Sequence, residues 1–359
     1  MLLNASMVSL ANGYSRAFAR YLPSRWDHDE ALLPTRQGQA AFGLLVVFLV
    51  LLALFANRYL LFVATLAGIG VVGALGLNLL TGATGQISLG HAAFLGVGAY
   101  TAALAAQRGL GLPWTLLAGG GLAAAVGLVL GLPSLRIKGL YLAISTLAFQ
   151  MVMEYVFVHW DAVTGGIRGL QLPAPALAGL PVDAPARFFC VVASVAVLLG
   201  LAARRLLSTQ GGRFMVAVRD NDLAAEVVGV PLLHTKLLAF GVAAFYGGVA
   251  GALWAHFFRA ITPEHFPLSM SISFLAMIIV GGLGTVAGSV LGALFITLVP
   301  EGLNIVVGLM GPRMAWLAAP LREVSFGLLI LLFLIAEPTG LAGLWRRFRD
   351  YLRTWPLPY

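Results

Sequence analysis

Long apolar runs recur along the chain at about 40–56, 59–80, 84–106, 113–133, 139–159, 187–203, 236–257 and 323–337, each bounded by short polar or charged stretches. A helix needs about 20 mostly apolar residues to cross a hydrocarbon core about 30 Å thick. Each run therefore predicts a membrane-spanning helix. Residues 270–300 are also apolar, but Gly281-Gly282-Leu283-Gly284 divides them into a shorter piece and a longer one. Counted as two spans they bring the total to about ten, and as one re-entrant unit to about eight or nine. The pattern predicts an all-α polytopic membrane protein, a bundle of about 8–10 transmembrane helices with broken or re-entrant segments.

Composition agrees and narrows the classes. Apolar residues make up 60% of the chain and charged residues 10%, against about 25% charged in an average soluble domain. Too few charges exist to cover a soluble surface, and disordered chains are poor in apolar residues, so both classes are excluded. A net charge of +8 would fit nucleic-acid binding, but the positions of the charges decide otherwise. With ten spans and a cytoplasmic N-terminus, the larger share of the basic residues falls in inside stretches. These hold Arg16, Arg20, Arg25, Arg136, Lys138, Arg204, Arg205, Arg213, Arg219, Arg346, Arg347 and Arg349 among others. That is the positive-inside distribution. It predicts both termini in the cytoplasm, a lipid bilayer as the surroundings and no nucleic-acid partner.

Residues 1–39 read as a cytoplasmic N-terminal tail, with Asp27, Asp29 and Glu30 following the first arginines and no apolar core of a secretory signal. Within it, 7–21 reads either as a short amphipathic surface helix or as a poorly ordered terminus. Residues 341–359 read as a cytoplasmic C-terminal tail. The single cysteine, Cys190, excludes an internal disulfide and a Cys-pair metal site, and no metal is expected.

Glycine occurs 43 times, often at four-residue spacing. Gly119, Ala123, Gly127 and Gly131 form one stripe, Gly247 and Gly251 a second, and Gly284, Gly288 and Gly292 a third. Such stripes let helix backbones approach closely in lipid and predict a dense bundle. Two segments are different. Thr81 to Tyr100 begins with Gly82 and Gly85 and carries Thr84, Gln86, Ser88 and His91 at membrane depth. The other is the broken stretch at 270–300. Gly-interrupted segments in both halves of a chain point to a transport path, because broken helices expose backbone groups that can line a cavity. Gly85, Gln86, Ser88, Gly90 and His91 are therefore candidates for the path, with Gly281, Gly282 and Gly284 as their counterpart. Helix N-termini there would attract a carboxylate. His91 has a second reading, as a hydrogen-bonder between helices. Glu154, the carboxylate well inside a span, reads as an interface residue. The shortage of midplane carboxylates argues against an ion-coupled carrier.

The largest inside stretch holds a structured amphipathic segment at about 210–231. Phe214, Ala217, Val218, Ala224, Ala225 and Val228 share one side at helical spacing. Asp220, Asn221 and Asp222 form a cap cluster that splits it, and Gly229 before Pro231 stops it. It reads either as a helix lying on the membrane or as a docking element for a soluble partner. No nucleotide loop is present, since the only lysines, Lys138 and Lys236, precede Gly139 and Leu237. His-Glu-x-x-His and Gly-x-Ser-x-Gly are also absent. No covalent chemistry and no cofactor is expected on this chain, and any ATP that drives it must bind elsewhere.

Four motifs carry a family resemblance. They are Gly76-Leu-Asn-Leu-Leu-Thr-Gly-Ala-Thr-Gly-Gln-Ile-Ser-Leu-Gly-His-Ala-Ala-Phe94 with Gly98 to Ala103, then Thr164-Gly-Gly-Ile-Arg-Gly-Leu170, then Gly212-Arg213, Ala217, Arg219-Asp220, Ala224-Ala225, Gly229 and Lys236, and finally Phe266 to Gly292 with Gly281-Gly282-Leu283-Gly284-Thr285. In this order, across about 40–340, the chain resembles branched-chain amino acid ABC transporter permeases of the LivM type. The resemblance implies a transmembrane permease domain at 40–340 in a bacterial inner membrane. It implies a second homologous permease, two cytoplasmic ATPase subunits that consume ATP, and a periplasmic solute-binding protein. Gly212, Arg213, Arg219, Asp220, Asp222 and Gly229 would then belong to the ATPase coupling segment. The same family includes permeases for urea, short amides and aromatic amino acids. A self-sufficient secondary transporter is the more distant alternative.

Overall fold

The computed structural model describes residues 36–177 and 180–309, and beyond these only 324, 327, 328, 331, 340–345 and 347. The expected tails and the apolar run at 323–337 therefore lie largely outside the described residues.

Helix α1 spans Arg36–Phe55. Helix α2 spans Arg58–Leu77, starts at the N-cap Asn57, whose side chain accepts from the Leu60 amide, and continues as a π-helical stretch, Asn78–Ala83. Helices α3 (His91–Gln107), α4 (Leu112–Gly131) and α5 (Leu140–His159) follow. After the short α6 (Asp161–Thr164) come β1 (Leu170–Gln171), β2 (Ala176–Leu177) and β3 (Leu180–Pro181). Then come α7 (Pro185–Ser208), α8 (Gln210–Asp220), α9 (Asp222–Val227) and α10 (Leu232–Phe258). The chain continues through β4 (Ala260–Ile261), α11 (Leu268–Gly281) and α12 (Val286–Leu309). Strand β4 pairs antiparallel with β1, Leu170 opposite Ile261, and so ties the far end of α10 to the loop before α7. Six helices among the described residues are long and apolar enough to cross a membrane. The chain is an all-α polytopic membrane protein.

Two boundaries differ from the sequence reading. The run at 59–80 continues as helix to Ala83, and the run at 84–106 becomes helical only at His91. The intervening residues leave the helix because Gly85 adopts a left-handed φ of 72°, open to glycine without a Cβ clash. The break at Gly281–Gly284 lies where the pattern places it. Helix α11 ends at Gly281, Gly282 and Gly284 have φ of 119° and 77°, and α12 begins at Val286.

Helix α10 is the axis of the bundle, packed against α2, α3 and α4. It is apolar on all sides, as a helix surrounded by other helices must be. Its glycines make the packing possible. A Cβ at Gly251 would overlap the Leu95 carbonyl of α3, and one at Gly98 would overlap the backbone at Gly248. Polar side chains lock the contacts, since a lone polar group in lipid has no water to turn to. Tyr246 donates to the Leu199 carbonyl of α7 at 2.8 Å, and His91 Nε2 lies 2.9 Å from the Gly73 carbonyl of α2.

Candidate functional site

The two glycine-broken segments, about 200 residues apart in sequence, meet in space. Asn78, at the start of the π-helical stretch, is 4% exposed. Its Nδ2 donates to the Thr285 carbonyl (2.8 Å) and to Ser289 Oγ (2.7 Å), and its Oδ1 accepts from the Gly284 amide (2.8 Å). One amide side chain thus satisfies the backbone groups that the break at Gly282–Gly284 leaves open. Gly82 lies so close that a Cβ there would overlap the Gly284 nitrogen. Asn78→Leu keeps the volume and removes all three bonds. It is expected to cost about 2–4 kcal/mol, the penalty for leaving buried donors and acceptors unmet. The midpoint of unfolding by sodium dodecyl sulfate in mixed micelles measures it. An unchanged midpoint would show that the pairing carries no stability.

The start of α3 forms a second polar cluster. A helix leaves its first amides unpaired, and here they lie inside the bundle. Ala92 N donates to Ser271 Oγ (2.8 Å) and Ala93 N to Gln150 Oε1 (2.7 Å). Gln150 Nε2 donates to the Phe266 carbonyl (2.9 Å), and Leu89 N donates to Thr146 Oγ1 (2.9 Å). Thr146, Gln150 and Ser271 are fully buried. The donors expected to attract a solute carboxylate are therefore already bound by α5 and α11, and a carboxylate would have to displace Gln150 or Ser271. Sequence reading missed these partners. The signal was there for Gln150, an amide in the middle of an apolar run, beside the more conspicuous Glu154.

The amphipathic segment is two helices, as its cap cluster predicts. Thr209 caps α8 by accepting from the Gly212 amide, and Asn221 caps α9 by accepting from Ala224 N at 3.1 Å. Gly229 stops the segment with a φ of 87°. Met215, Val218 and Ala225 are buried. Arg219 turns toward the membrane domain. Its Nη1 donates to the Gly82 carbonyl at 2.8 Å, and its side chain packs on Gly85 and Gly284, where a Cβ would meet it at 3.2 and 2.8 Å. Asp222 forms an ion pair with Lys138 at 2.6 Å and lies 3.7 Å from Lys236. The hydrogen bond from Lys138 holds the Asp222 carboxyl below the usual carboxylate range, against the opposing effect of partial burial. A polar cavity of about 270 Å³ lies between these groups, lined by Gln86, Lys138, Arg219, Asp220, Asp222 and Lys236.

The structure therefore gathers Gly82, Gly85, Gln86, Gly284 and Arg219 at one end of the bundle. Gln86 is buried, with neither amide atom hydrogen-bonded in the protein. Ser88, Gly90 and His91 lie apart from them, at the start of α3. Ser88 Oγ accepts from Gly90 N at 3.4 Å. Gly281 serves close packing, because a Cβ there would overlap the Gly288 backbone. Gly212 lies in the first turn of α8, where it packs against the end of α7 and a Cβ would overlap the Leu206–Leu207 backbone. Arg213 lies exposed on α8.

The described residues form a multi-pass helical bundle whose two helix breaks meet and are both contacted by the amphipathic segment, an architecture that suits a membrane transport component. The family profile of branched-chain amino acid transport system permease components matches residues 59–335, and the chain belongs to that family. The high-affinity branched-chain amino acid transport system permease protein LivM of Escherichia coli (strain K12) is 35% identical over 265 residues, covering 67% of this chain and 62% of that protein. The chain thus spans less than two thirds of that relative's length. A probable LivM of Methanocaldococcus jannaschii is 29% identical over 60% of this chain and 64% of its own. The autoinducer 2 import system permease protein LsrC of an Enterobacter species (strain 638) is 28% identical over 75% of this chain and 79% of its own. No solved structure matches.

Proposed function

We propose that this chain is one of two permease subunits of a bacterial ABC importer for branched-chain or related amino acids. It would sit in the inner membrane with both tails, 1–39 and 341–359, in the cytoplasm. Two separate ATPase subunits would dock on α8 and α9, and a periplasmic binding protein would deliver solute at the opposite end. The observation that carries this reading is Arg219. A single side chain of the segment that would meet the ATPase is bonded to the Gly82 carbonyl and packed on Gly284. Any displacement of α8 must therefore act on both helix breaks together. Packed interfaces of this kind switch between discrete arrangements rather than deforming smoothly, which is how closure of the ATPases would open the solute path between the two permeases. Gly85, Gln86, Ser88, Gly90 and His91 on one break, and Gly281, Gly282 and Gly284 on the other, would border that path.

The test is uptake by proteoliposomes that hold the assembled complex and its binding protein. ATP-dependent accumulation of labelled L-leucine is expected, and unlabelled L-valine should compete. Uptake by this chain alone without ATP would replace the reading by a secondary carrier. Competition by urea, acetamide or L-phenylalanine but not by L-valine would move the substrate within the family. The panel follows from the resemblance to a family that also includes permeases for urea, short amides and aromatic amino acids.

A further inference from the structure

A second cavity, of about 300 Å³, opens between α2, α7 and α10. Its walls are mainly apolar, with Leu61, Phe62, Phe188 and Phe257, and Arg58, Asp183 and Arg259 stand at its rim. The polar side chains of the wall have partners inside the protein. Thr65 donates to the Leu61 carbonyl at 2.6 Å, and His256 Nε2 lies 2.7 Å from Thr115 Oγ1. The charge is therefore at the rim.

Helix length sets the depth of that rim. Helix α2 has 20 residues, so at 1.5 Å per residue Arg58 lies about 30 Å along the axis from Asn78 and the helix breaks. That is about one hydrocarbon thickness. With the breaks and Arg219 near one face of the membrane, Arg58 stands at the headgroup level of the other.

The surface around Arg58 is apolar. Phe55 is 82% exposed, and Tyr59, Leu60 and Phe62 are exposed as well. A guanidinium in such surroundings needs an anion, because a lone charge at the edge of lipid is costly. The protein supplies none, since among the described residues Arg58 has no ion-pair partner. The carboxylates close to it in the structure are engaged elsewhere. Asp183 pairs with Arg259 at 2.7 Å, and Glu301 accepts from the Tyr59 hydroxyl. The anion that a bilayer itself offers at this depth is a lipid phosphate.

We propose that this cavity is a site for one anionic phospholipid, its phosphate bound by Arg58 and one acyl chain lying along the apolar walls. A guanidinium matches a phosphate with two parallel hydrogen bonds. Two guanidiniums against one carboxylate leave the rim positive, which favours a headgroup of net negative charge over phosphatidylcholine. The apolar walls supply the second half of the recognition, so a free phosphate, which meets only the rim, binds far more weakly.

The assembled complex is stripped of lipid in detergent and titrated with phosphatidylglycerol, and the retained lipid is counted by native mass spectrometry. A saturable phosphatidylglycerol is expected that binds about ten-fold more tightly than phosphatidylcholine with the same chains. Arg58→Gln, at an exposed position, should abolish that preference by weakening phosphatidylglycerol about ten-fold while leaving phosphatidylcholine as it was. Inorganic phosphate and glycerophosphoglycerol, the headgroup without chains, should not displace the lipid. Equal retention of phosphatidylglycerol by the parent and by Arg58→Gln overturns the proposal, as does equal affinity of the parent for the two lipids. Displacement by the chain-free headgroup assigns the rim to a small anion and overturns it. Retention by the isolated chain but not by the assembled complex would show that another subunit covers this surface, and overturns it too.

Discussion

Replacing Gly251 by valine is expected to leave no folded protein in the membrane. Gly251 faces α3 where α10 crosses it, and even a Cβ would overlap the Leu95 carbonyl. Backbone atoms cannot rotate aside as a flexible side chain can, so the two helices must move apart. Helix α10 contacts α2 and α4 as well as α3, and a shift at one face opens gaps at the others. Helix association in lipid depends on such close packing, since lipid tails are as apolar as the helices. Overpacking a dense core costs about 1–3 kcal/mol, and separating the central helix adds the lost contacts, for a total above about 3 kcal/mol. Limited proteolysis and gel filtration of detergent-solubilised protein measure the effect. Gly121→Ala is the control, because nothing lies within 4 Å of a Cβ at that site, and it should behave as the parent does. A monodisperse, protease-resistant Gly251→Val protein would mean that α3 and α10 do not approach this closely.

Arg219→Glu is expected to leave the bundle folded and to lower solute-stimulated ATP hydrolysis of the assembled complex about ten-fold or more. The arginine holds the Gly82 carbonyl at 2.8 Å. A carboxylate there accepts only and would face that carbonyl oxygen without a hydrogen between them. The link from α8 to the two helix breaks would then be repelled rather than tied. Folding should survive because Arg219 is exposed and the buried contacts of α8 run through Met215 and Val218. Arg219→Lys supplies a point charge in place of a planar fork and should restore part of the coupling. Hydrolysis in proteoliposomes, with and without solute-loaded binding protein, is the measurement. Normal stimulation in the Arg219→Glu complex would sink the assignment of this contact as the coupling link.

The two outcomes probe different layers of what the chain encodes. Gly251 belongs to a spacing pattern that is visible in one dimension, because four-residue repeats fall on one helix face. The break at Gly281–Gly284 was equally visible, since glycines interrupt an apolar run there. Arg219 and Asp222 were legible as members of a capped amphipathic segment. What they touch was not, because a side chain's partner across about 137 residues leaves no local periodicity. The pattern places the start of the third span at 84 rather than His91 because apolar content does not distinguish helix from a non-helical stretch that follows a left-handed glycine.

Local chemistry thus determined the class of this protein. Apolar length dictates spans, because unpaired backbone groups cannot sit in lipid. Glycine spacing dictates close helix packing, and cap residues dictate where α8 and α9 begin and end. Tertiary structure alone decided which polar groups meet. It placed Asn78 against Gly284, Arg219 against Gly82, and Gln150 and Ser271 on the start of α3. The physical reason is that a polar side chain at membrane depth must find a partner, but its partner is chosen by the packing of whole helices and not by its neighbours in sequence.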